Sequence, residues 1–258
     1  MKCKICGNQS NEFDIAEILE KYKVHYYCCP ICGFVQTEEP YWLDEAYSTA
    51  FSRTDVWCMN RNMINSNNLL FLMKFVELGP CLDFGGGYGV LVRMMRDYGF
   101  DFYWYDKYAQ NIFAFGFDGD LSANYTLVTS FENFEHFVNP MEEIEKIINC
   151  TQTVYFTTTL IHNSPPIKEW FYYYPIHGQH ISFYSHKTLK YIAKKYSMYL
   201  ITDNINTHIL SKKKISQNFF KLLRLYRRCN KYIYPISNFL IKESKIMEDA
   251  NRIINKIR

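Results

Sequence analysis

Between residues 80 and 200, short apolar runs alternate with stretches whose apolar positions recur at helical spacing. The pattern predicts strands at 80–84, 101–105, 125–130 and 152–158. It predicts helices at 88–98, 107–114, 140–149 and 186–196. Such alternation is the signature of an α/β fold with a doubly wound sheet, whose ligands bind beyond the carboxyl ends of the strands. Segments 199–203 and 206–210 read as an antiparallel edge hairpin that closes the sheet. The stretch Phe115-Gly116-Phe117-Asp118-Gly119-Asp120 is short and irregular, so one element of the usual alternation is reduced there. A helix over 61–78 leads into the first core strand. Residues 38–60 form a connector rich in aromatics: Tyr41, Trp42, Tyr47, Phe51 and Trp57. Two amphipathic helices, 216–229 and 237–257, end the chain and are broken near Pro235. Leu222, Leu223, Leu225 and Tyr226 form an apolar stripe in the first, beside Arg224, Arg227 and Arg228.

The strand at 80–84 runs into Asp83-Phe84-Gly85-Gly86-Gly87-Tyr88-Gly89. Glycines suit a turn where backbone must approach a ligand closely and where some positions need positive φ. The helix opening near Tyr88 aims its N-terminal N–H groups at a ligand's anionic end. Asp106 ends the next strand, 23 residues after Asp83, where a carboxylate can accept both hydroxyls of a ribose. Together these features predict a site for a nucleoside-bearing cofactor.

Residues 1–37 carry two knuckles, Cys3-Lys4-Ile5-Cys6-Gly7 and Cys29-Pro30-Ile31-Cys32-Gly33. Each pair presents two thiolates to one ion, and the glycine after it permits the tight turn. Cys3, Cys6, Cys29 and Cys32 at this spacing suit tetrahedral Zn²⁺ in a ribbon. A segment this small cannot bury enough surface to fold alone, so the metal is expected to be structural. Lys23–Tyr27 reads as the strand leading into the second knuckle, with His25 and Cys28 as spare ligands. The remaining cysteines read as small buried hydrophobes in a reducing compartment.

Two further stretches carry chemistry. The first follows the 125–130 strand and contains Phe131, Glu132, Glu135 and His136. Its carboxylates either orient the loop and His136, or join His136 around a second divalent cation at Glu132/Glu135/His136. The second runs from Trp170 to Ser185 and includes His177, Gln179 and His180 behind a row of aromatics. Aromatic planes suit sugar rings, and a histidine can take a hydroxyl proton near neutral pH. Ser185 is placed to cap the following helix.

Asp83-x-Gly85-x-Gly87-x-Gly89 resembles motif I of the class I S-adenosylmethionine (SAM) methyltransferases. The Phe131-to-Pro140 stretch resembles a subgroup that includes ubiquinone-type O-methyltransferases, and its Glu/Glu/His set resembles small-RNA 2′-O-methyltransferases. The zinc module, aromatic linker and Gly178-Gln179-His180-Ile181-Ser182-Phe183-Tyr184-Ser185 together resemble a bacterial group of the methyltransferase domain 23 class, over about residues 1–210. The resemblance implies a Rossmann-like SAM-methyltransferase sheet over 61–210, an N-terminal zinc ribbon at 1–37 and a basic helical tail at 211–258. It implies SAM contacts from Asp83, Phe84, Gly85, Gly86, Gly87, Gly89, Asp106, Phe131 and Glu132. It assigns proton transfer to His180 or His136, with His177 a third candidate. Related zinc-bearing enzymes methylate nucleotide-linked sugars at carbon. This chain lacks their large C-terminal domain, which favours a sugar, nucleotide-sugar or glycan precursor methylated at oxygen.

Charge adds one feature. Residues 211–258 hold 13 Lys or Arg against three acids, which leaves 1–210 at −7 in a chain of net +3. A basic tail on an acidic body suggests an anionic partner, either a phosphate on the substrate carrier or a membrane surface met peripherally. The zinc module has four Lys against Glu12, Asp14, Glu17 and Glu20, and so no basic face. A nucleic-acid methyltransferase is therefore the second reading, and a non-catalytic SAM-binding protein the third. No apolar run is long enough to span a membrane and the N-terminus has no apolar leader, so a cytoplasmic protein is expected.

Overall fold

The computed structural model describes residues 1–47, 56–77, 79–162, 165–166, 170–173, 175–216, 218–232 and 242–257. Phe51 of the connector, Leu78, Tyr174, Pro235 and the start of the expected 237–257 helix lie outside them.

Two sheets organise the chain. The N-terminal sheet holds β1 (Asn11–Ile18), β2 (Tyr22–Cys28), β3 (Val35–Thr37) and β8 (Ser182–Phe183), all antiparallel. Its fourth strand comes from far along the chain. Val35 pairs with Phe183 and Gln36 with Ser182, a pairing that local pattern does not announce.

The central sheet has six strands in the order β5-β4-β6-β7-β10-β9. These are β4 (Cys81–Phe84), β5 (Phe102–Tyr105), β6 (Leu127–Phe131), β7 (Thr153–Thr157), β9 (Tyr199–Thr202) and β10 (Thr207–Ser211). The first four neighbours run parallel, and β10 joins β7 and β9 antiparallel. The doubly wound α/β fold is therefore present, with the hairpin at its edge. The short α1 (Leu43–Ala46) lies in the connector. Around the sheet stand α2 (Cys58–Leu72), α3 (Val90–Asp97), α4 (Pro140–Asn149), α5 (His186–Lys195), α6 (Phe219–Tyr232) and α7 (Ile246–Ile257). Ser185 caps α5 as expected. Its hydroxyl accepts the Thr188 N–H, and the Thr188 hydroxyl accepts the Ser185 N–H in return.

The core is continuous between the two sheets. Cys3, Ile5, Cys29, Cys32 and Phe34 pack in one buried cluster with Val154, Phe156, Tyr184 and Leu189. The Ser185 and Thr188 hydroxyls both donate to the Cys32 carbonyl, at 3.2 and 2.9 Å.

Two expectations fail locally. No helix forms over 107–114. The Asp106 carboxylate accepts the N–H groups of Tyr108 and Ala109 at 2.7 and 2.9 Å, as a helix cap does, but the N–H groups of Ile112 and Phe113 go to the Tyr88 carbonyl at 3.2 and 2.9 Å and no helix continues from it. Asn111 then closes a second turn onto Ala114. In α6 the inward residues are Phe219, Phe220, Leu223 and Tyr226, while Leu222 and Leu225 face outward. The two phenylalanines anchor the helix and rotate the stripe away from Leu222.

With the third strand of the usual alternation reduced to a single bridge between Trp104 and Asp118, the C-terminal helix closes that edge. Asp249 on α7 accepts from Arg96 at 2.8 Å through both oxygens and from Arg93 at 2.8 Å. Arg96 and Asp249 are each 2% exposed. The Arg96 guanidinium also lies 3.6 Å from the centre of the Phe117 ring. Burial raises the Asp249 pKa, but the two arginines outweigh it and hold the carboxyl below its usual range. This ion pair therefore contributes stability above about pH 4, and the contribution is lost as the pH falls below that. Asp249→Asn removes the buried partner of Arg96 and leaves only the part-exposed Asp101, at 2.9 Å, as its counter-charge. The expected cost is about 3 kcal/mol in urea unfolding at neutral pH, and an unchanged midpoint would show that α7 does not hold the edge.

Candidate active site

A cavity of about 610 Å³ opens beyond the carboxyl ends of β4, β5 and β6. Its lining includes Asp83, Phe84, Gly85, Gly86, Gly87 and Asp106 from the glycine loop and second strand, and Phe131 and Glu132 from the end of β6. His136, His177 and His180 complete one wall. Gly89 is the one sequence-predicted cofactor residue that does not line it. It caps α3 with φ +85, and a Cβ there would lie 2.9 Å from Asn111 and 3.0 Å from Ala114.

The loop is shaped by close approach. Gly85 has φ +75, and a Cβ on it would lie 2.3 Å from the Asn133 amide. Asp106 Oδ2 accepts the Gly87 N–H at 2.9 Å, which ties the second strand to the loop. Oδ1 accepts the Tyr108 and Ala109 N–H groups, so Oδ2 keeps the one further lone pair for a ligand hydroxyl. Asp83 is buried behind the loop and accepts from the Thr129 hydroxyl at 2.7 Å. Burial pushes its carboxyl up to about 7.

At the end of β6 the chain turns sharply. Glu132 sits at φ +50, in the left-handed region that non-glycine residues rarely adopt, and its N–H is held by the Thr157 hydroxyl at 2.9 Å. The turn that follows, Phe134–His136, places Glu135 and His136 beside His180. The two imidazoles meet edge to face, 5.0 Å between centroids. His136 Nδ1 lies 3.1 Å from the Gln179 carbonyl and 3.0 Å from the Tyr47 hydroxyl. His180 Nδ1 lies 2.7 Å from the Tyr172 carbonyl. A carbonyl only accepts, so both Nδ1 atoms carry the proton and each Nε2 is left as an acceptor.

Electrostatics in this wall are set by burial. It lowers His136 to about 3 and His180 to about 4. It raises Glu132 and Glu135 each to about 7, and in Glu132 the neighbouring Glu135 adds to the rise. Both Glu135 oxygens are buried without a hydrogen-bond partner among the described residues. The Tyr172 and Thr158 hydroxyls stand nearby but outside bonding geometry. One ligand atom from each of Glu135, His136 and His180 lies within 4.8 Å of the others. The sequence-predicted cation set was Glu132, Glu135 and His136. The structure gathers His180 into that group and leaves Glu132 beside it.

The four knuckle cysteines also converge. Cys3 and Cys32 sulfurs lie 3.5 Å apart, as do those of Cys6 and Cys29, and all four fall within 4.8 Å of one another. Four thiols at this separation fit a tetrahedral ion with Zn–S bonds of about 2.3 Å.

Several lining residues escaped the sequence reading as site residues. Tyr47 stacks on Tyr108, centroids 5.0 Å apart, and reaches His136. Arg61 lines the cavity from α2. Arg61 is the one charged residue of α2, a signal the sequence did offer. Tyr47 carries no local signal, because its partners are distant in the chain.

A family model described as a methyltransferase domain matches residues 59–202, more than half of the chain. No curated protein matches it. Similar solved structures include magnesium protoporphyrin IX methyltransferase from Synechocystis PCC 6803 with bound SAM, at 15% identity and TM-score 0.39, covering 67% of this chain and 90% of that one. The plantazolicin methyltransferase BpumL with a triazolic substrate analogue and S-adenosylhomocysteine aligns at 14% identity and TM-score 0.45, covering 75% and 86%. The methyltransferase domain of bacterial CtHen1 aligns at 17% identity and TM-score 0.39, covering 59% and 99%.

The cysteine cluster makes a direct prediction. The purified chain should carry tightly held zinc, and Cys32→Ser should release it and expose the β2 and β3 amides to fast exchange. Metal analysis with hydrogen exchange checks this. Retained protection without metal would show that packing alone holds the sheet.

Proposed function

Because the chain belongs to the methyltransferase-domain family, and so is a SAM-dependent methyltransferase, we propose that it transfers the methyl group to a hydroxyl of a sugar, nucleotide-sugar or glycan precursor. The observation that carries this reading is the polar wall itself. Glu132, His136 and His180 line the cavity together with Tyr47, Trp57, Tyr108 and Phe171, and Glu135 is buried behind them. Aromatic planes give flat apolar faces to a sugar ring, and the polar wall gives its hydroxyls acceptors.

In this reading Gly85, Gly86 and Gly87 leave room for the methionine portion of SAM, and Asp106 accepts a ribose hydroxyl through Oδ2. Asp83 stands behind the loop and supports it through Thr129. Phe131 and Glu132 border the methyl group. Binding both reactants in one cavity aligns acceptor oxygen, methyl and sulfur for direct displacement, and this positioning supplies most of the rate. His180 takes the acceptor proton through Nε2, with its Nδ1–H fixed by Tyr172. His136, fixed in the same way by Gln179, stands next to it and is the alternative base. His177 lines the same wall and contacts the acceptor.

Glu135, His136 and His180 also suit a divalent cation. Two neutral imidazoles and a buried carboxyl whose oxygens have no hydrogen-bond partner among the described residues are a nitrogen and oxygen donor set of the kind such a cation takes. A cation bound there would lower the pKa of a coordinated acceptor hydroxyl. The four Cys thiolates would hold Zn²⁺ in a structural role.

Calorimetric titration tests the reading. Wild type should bind SAM at micromolar strength, and Asp106→Ala should weaken it at least about tenfold, the loss of a charge-assisted hydrogen bond of about 1.5–3 kcal/mol. Equal affinity in the two proteins would remove Asp106 from the ribose site, and absence of SAM binding would remove the proposal. A second outcome concerns the cation. Glu132 and Glu135 titrate near 7, so protons compete with a cation below that pH. Stabilisation by added Mn²⁺ in thermal unfolding should be small at pH 6 and larger at pH 8. A shift independent of pH would place the ion elsewhere.

A further inference from the structure

Between Asp203 and Glu243 the sequence holds nine Lys or Arg and no acid. The structure shows how α6 displays part of that run. Phe219, Phe220, Leu223 and Tyr226 pack inward on the core. The opposite face presents Lys221, Arg224 and Arg228 at helical spacing, with Leu222 (44% exposed) and Leu225 (57% exposed) among them. Lys212, Lys213 and Lys214 just before the helix are exposed as well.

α6 is seated on the body through α2: Arg227 holds Asn68 at 2.7 Å and Tyr226 stacks on Phe71. Its outward face is left to present cations with leucines among them.

We propose that the outward face of α6 is a docking surface for an anionic membrane leaflet. The cations meet lipid phosphates, and their aliphatic stems lie along the surface. Leu222 and Leu225 enter the headgroup–acyl boundary, which takes up apolar side chains. Nucleic acid offers the same negative charge, but nothing for leucines placed between the cations. The surface stands apart from the reacting groups, and the proposal does not depend on which acceptor is methylated.

The test is co-sedimentation of the full chain with vesicles of phosphatidylcholine alone and of equal parts phosphatidylcholine and phosphatidylglycerol. Binding is expected only to the anionic vesicles. It should fall as salt rises and the screening length shrinks from about 10 Å at 0.1 M to about 3 Å at 1 M. The combined variant Lys221→Gln, Arg224→Gln, Arg228→Gln should bind about 100-fold more weakly, at roughly fivefold per cation. Leu222→Ser with Leu225→Ser should weaken binding about tenfold at every salt concentration. All substituted side chains are exposed, and an unchanged unfolding midpoint confirms an intact fold. Equal binding to neutral vesicles, undiminished binding of the triple glutamine variant, or no vesicle binding would overturn the proposal. So would single-stranded RNA binding that tolerates the serine substitutions while vesicles are ignored, which would assign the surface to nucleic acid.

Discussion

The segment from Gly178 to Thr188 is the constraint on which the rest depends. Its first residues are held by the connector: the Trp42 indole donates to the Gly178 carbonyl at 2.7 Å, and Gln179 donates to Ala46. Ile181 and Ser182 donate to the carbonyls of Glu135 and Phe137, and the Tyr184 hydroxyl to that of Phe134. Ser182 and Phe183 then pair with β3, and Ser185 and Thr188 cap α5 and hold Cys32. One strand of peptide therefore touches the cysteine module, the connector, the turn bearing Glu135 and His136, and a helix of the central sheet. An ion at the cysteines would fix the chain around Cys32 and so reach His180 through only a few residues of backbone. The module need not approach the cavity to matter for it.

The polar wall has an unusual electrostatic state because this segment closes over it. Water is excluded from Glu135, so its carboxyl keeps a proton at pH values where an exposed glutamate has lost it. The histidines move the opposite way for the same reason, since burial penalises the imidazolium. Without an ion the wall holds neutral acids beside neutral bases, and almost no net charge is buried. Between about pH 5 and 6 the two effects oppose each other in the linkage to folding. The folded state holds two protons on the glutamates that the unfolded chain has lost, and lacks two that unfolded histidines would carry. The wall is thus tolerated in a dry site with little pH-dependent penalty, and its acceptors stay available to whatever enters the cavity.

How much of this was legible follows from the range of each interaction. The Asp83-to-Gly89 loop, Asp106 and the Ser185 cap rest on local backbone demands, and the sequence carried them directly. The cysteine pairs were legible because spacing alone brings two sulfurs together. The helix expected at 107–114 had the right apolar pattern, but the distant Tyr88 carbonyl takes the N–H groups of Ile112 and Phe113, and periodicity does not weigh that competition. Leu222 and Leu225 were assigned to the wrong face because stripe counting within α6 ignored Phe219 and Phe220, which anchor it. Pairing of β8 with β3, the reach of Tyr47 to His136 and the gathering of His180 with Glu135 each join residues far apart in sequence. Such contacts leave no periodic trace.

The tail shows why a summed charge misleads. Residues 211–258 total +10, yet the two described helices use their charges differently. α7 brings the acid Asp249 inward to Arg93 and Arg96, and so closes the edge that the missing strand leaves open beside β5. There the basic partners belong to the body and the acid to the tail, the reverse of what net charge suggests. α6 buries Phe219, Phe220 and Tyr226 and turns Lys221, Arg224 and Arg228 outward to solvent. Charges that served only solubility would be interspersed with acids, since mixed signs avoid a strong one-signed field. A run of nine cations without an acid keeps such a field, and the fold sets it beside the helix that borders the cavity.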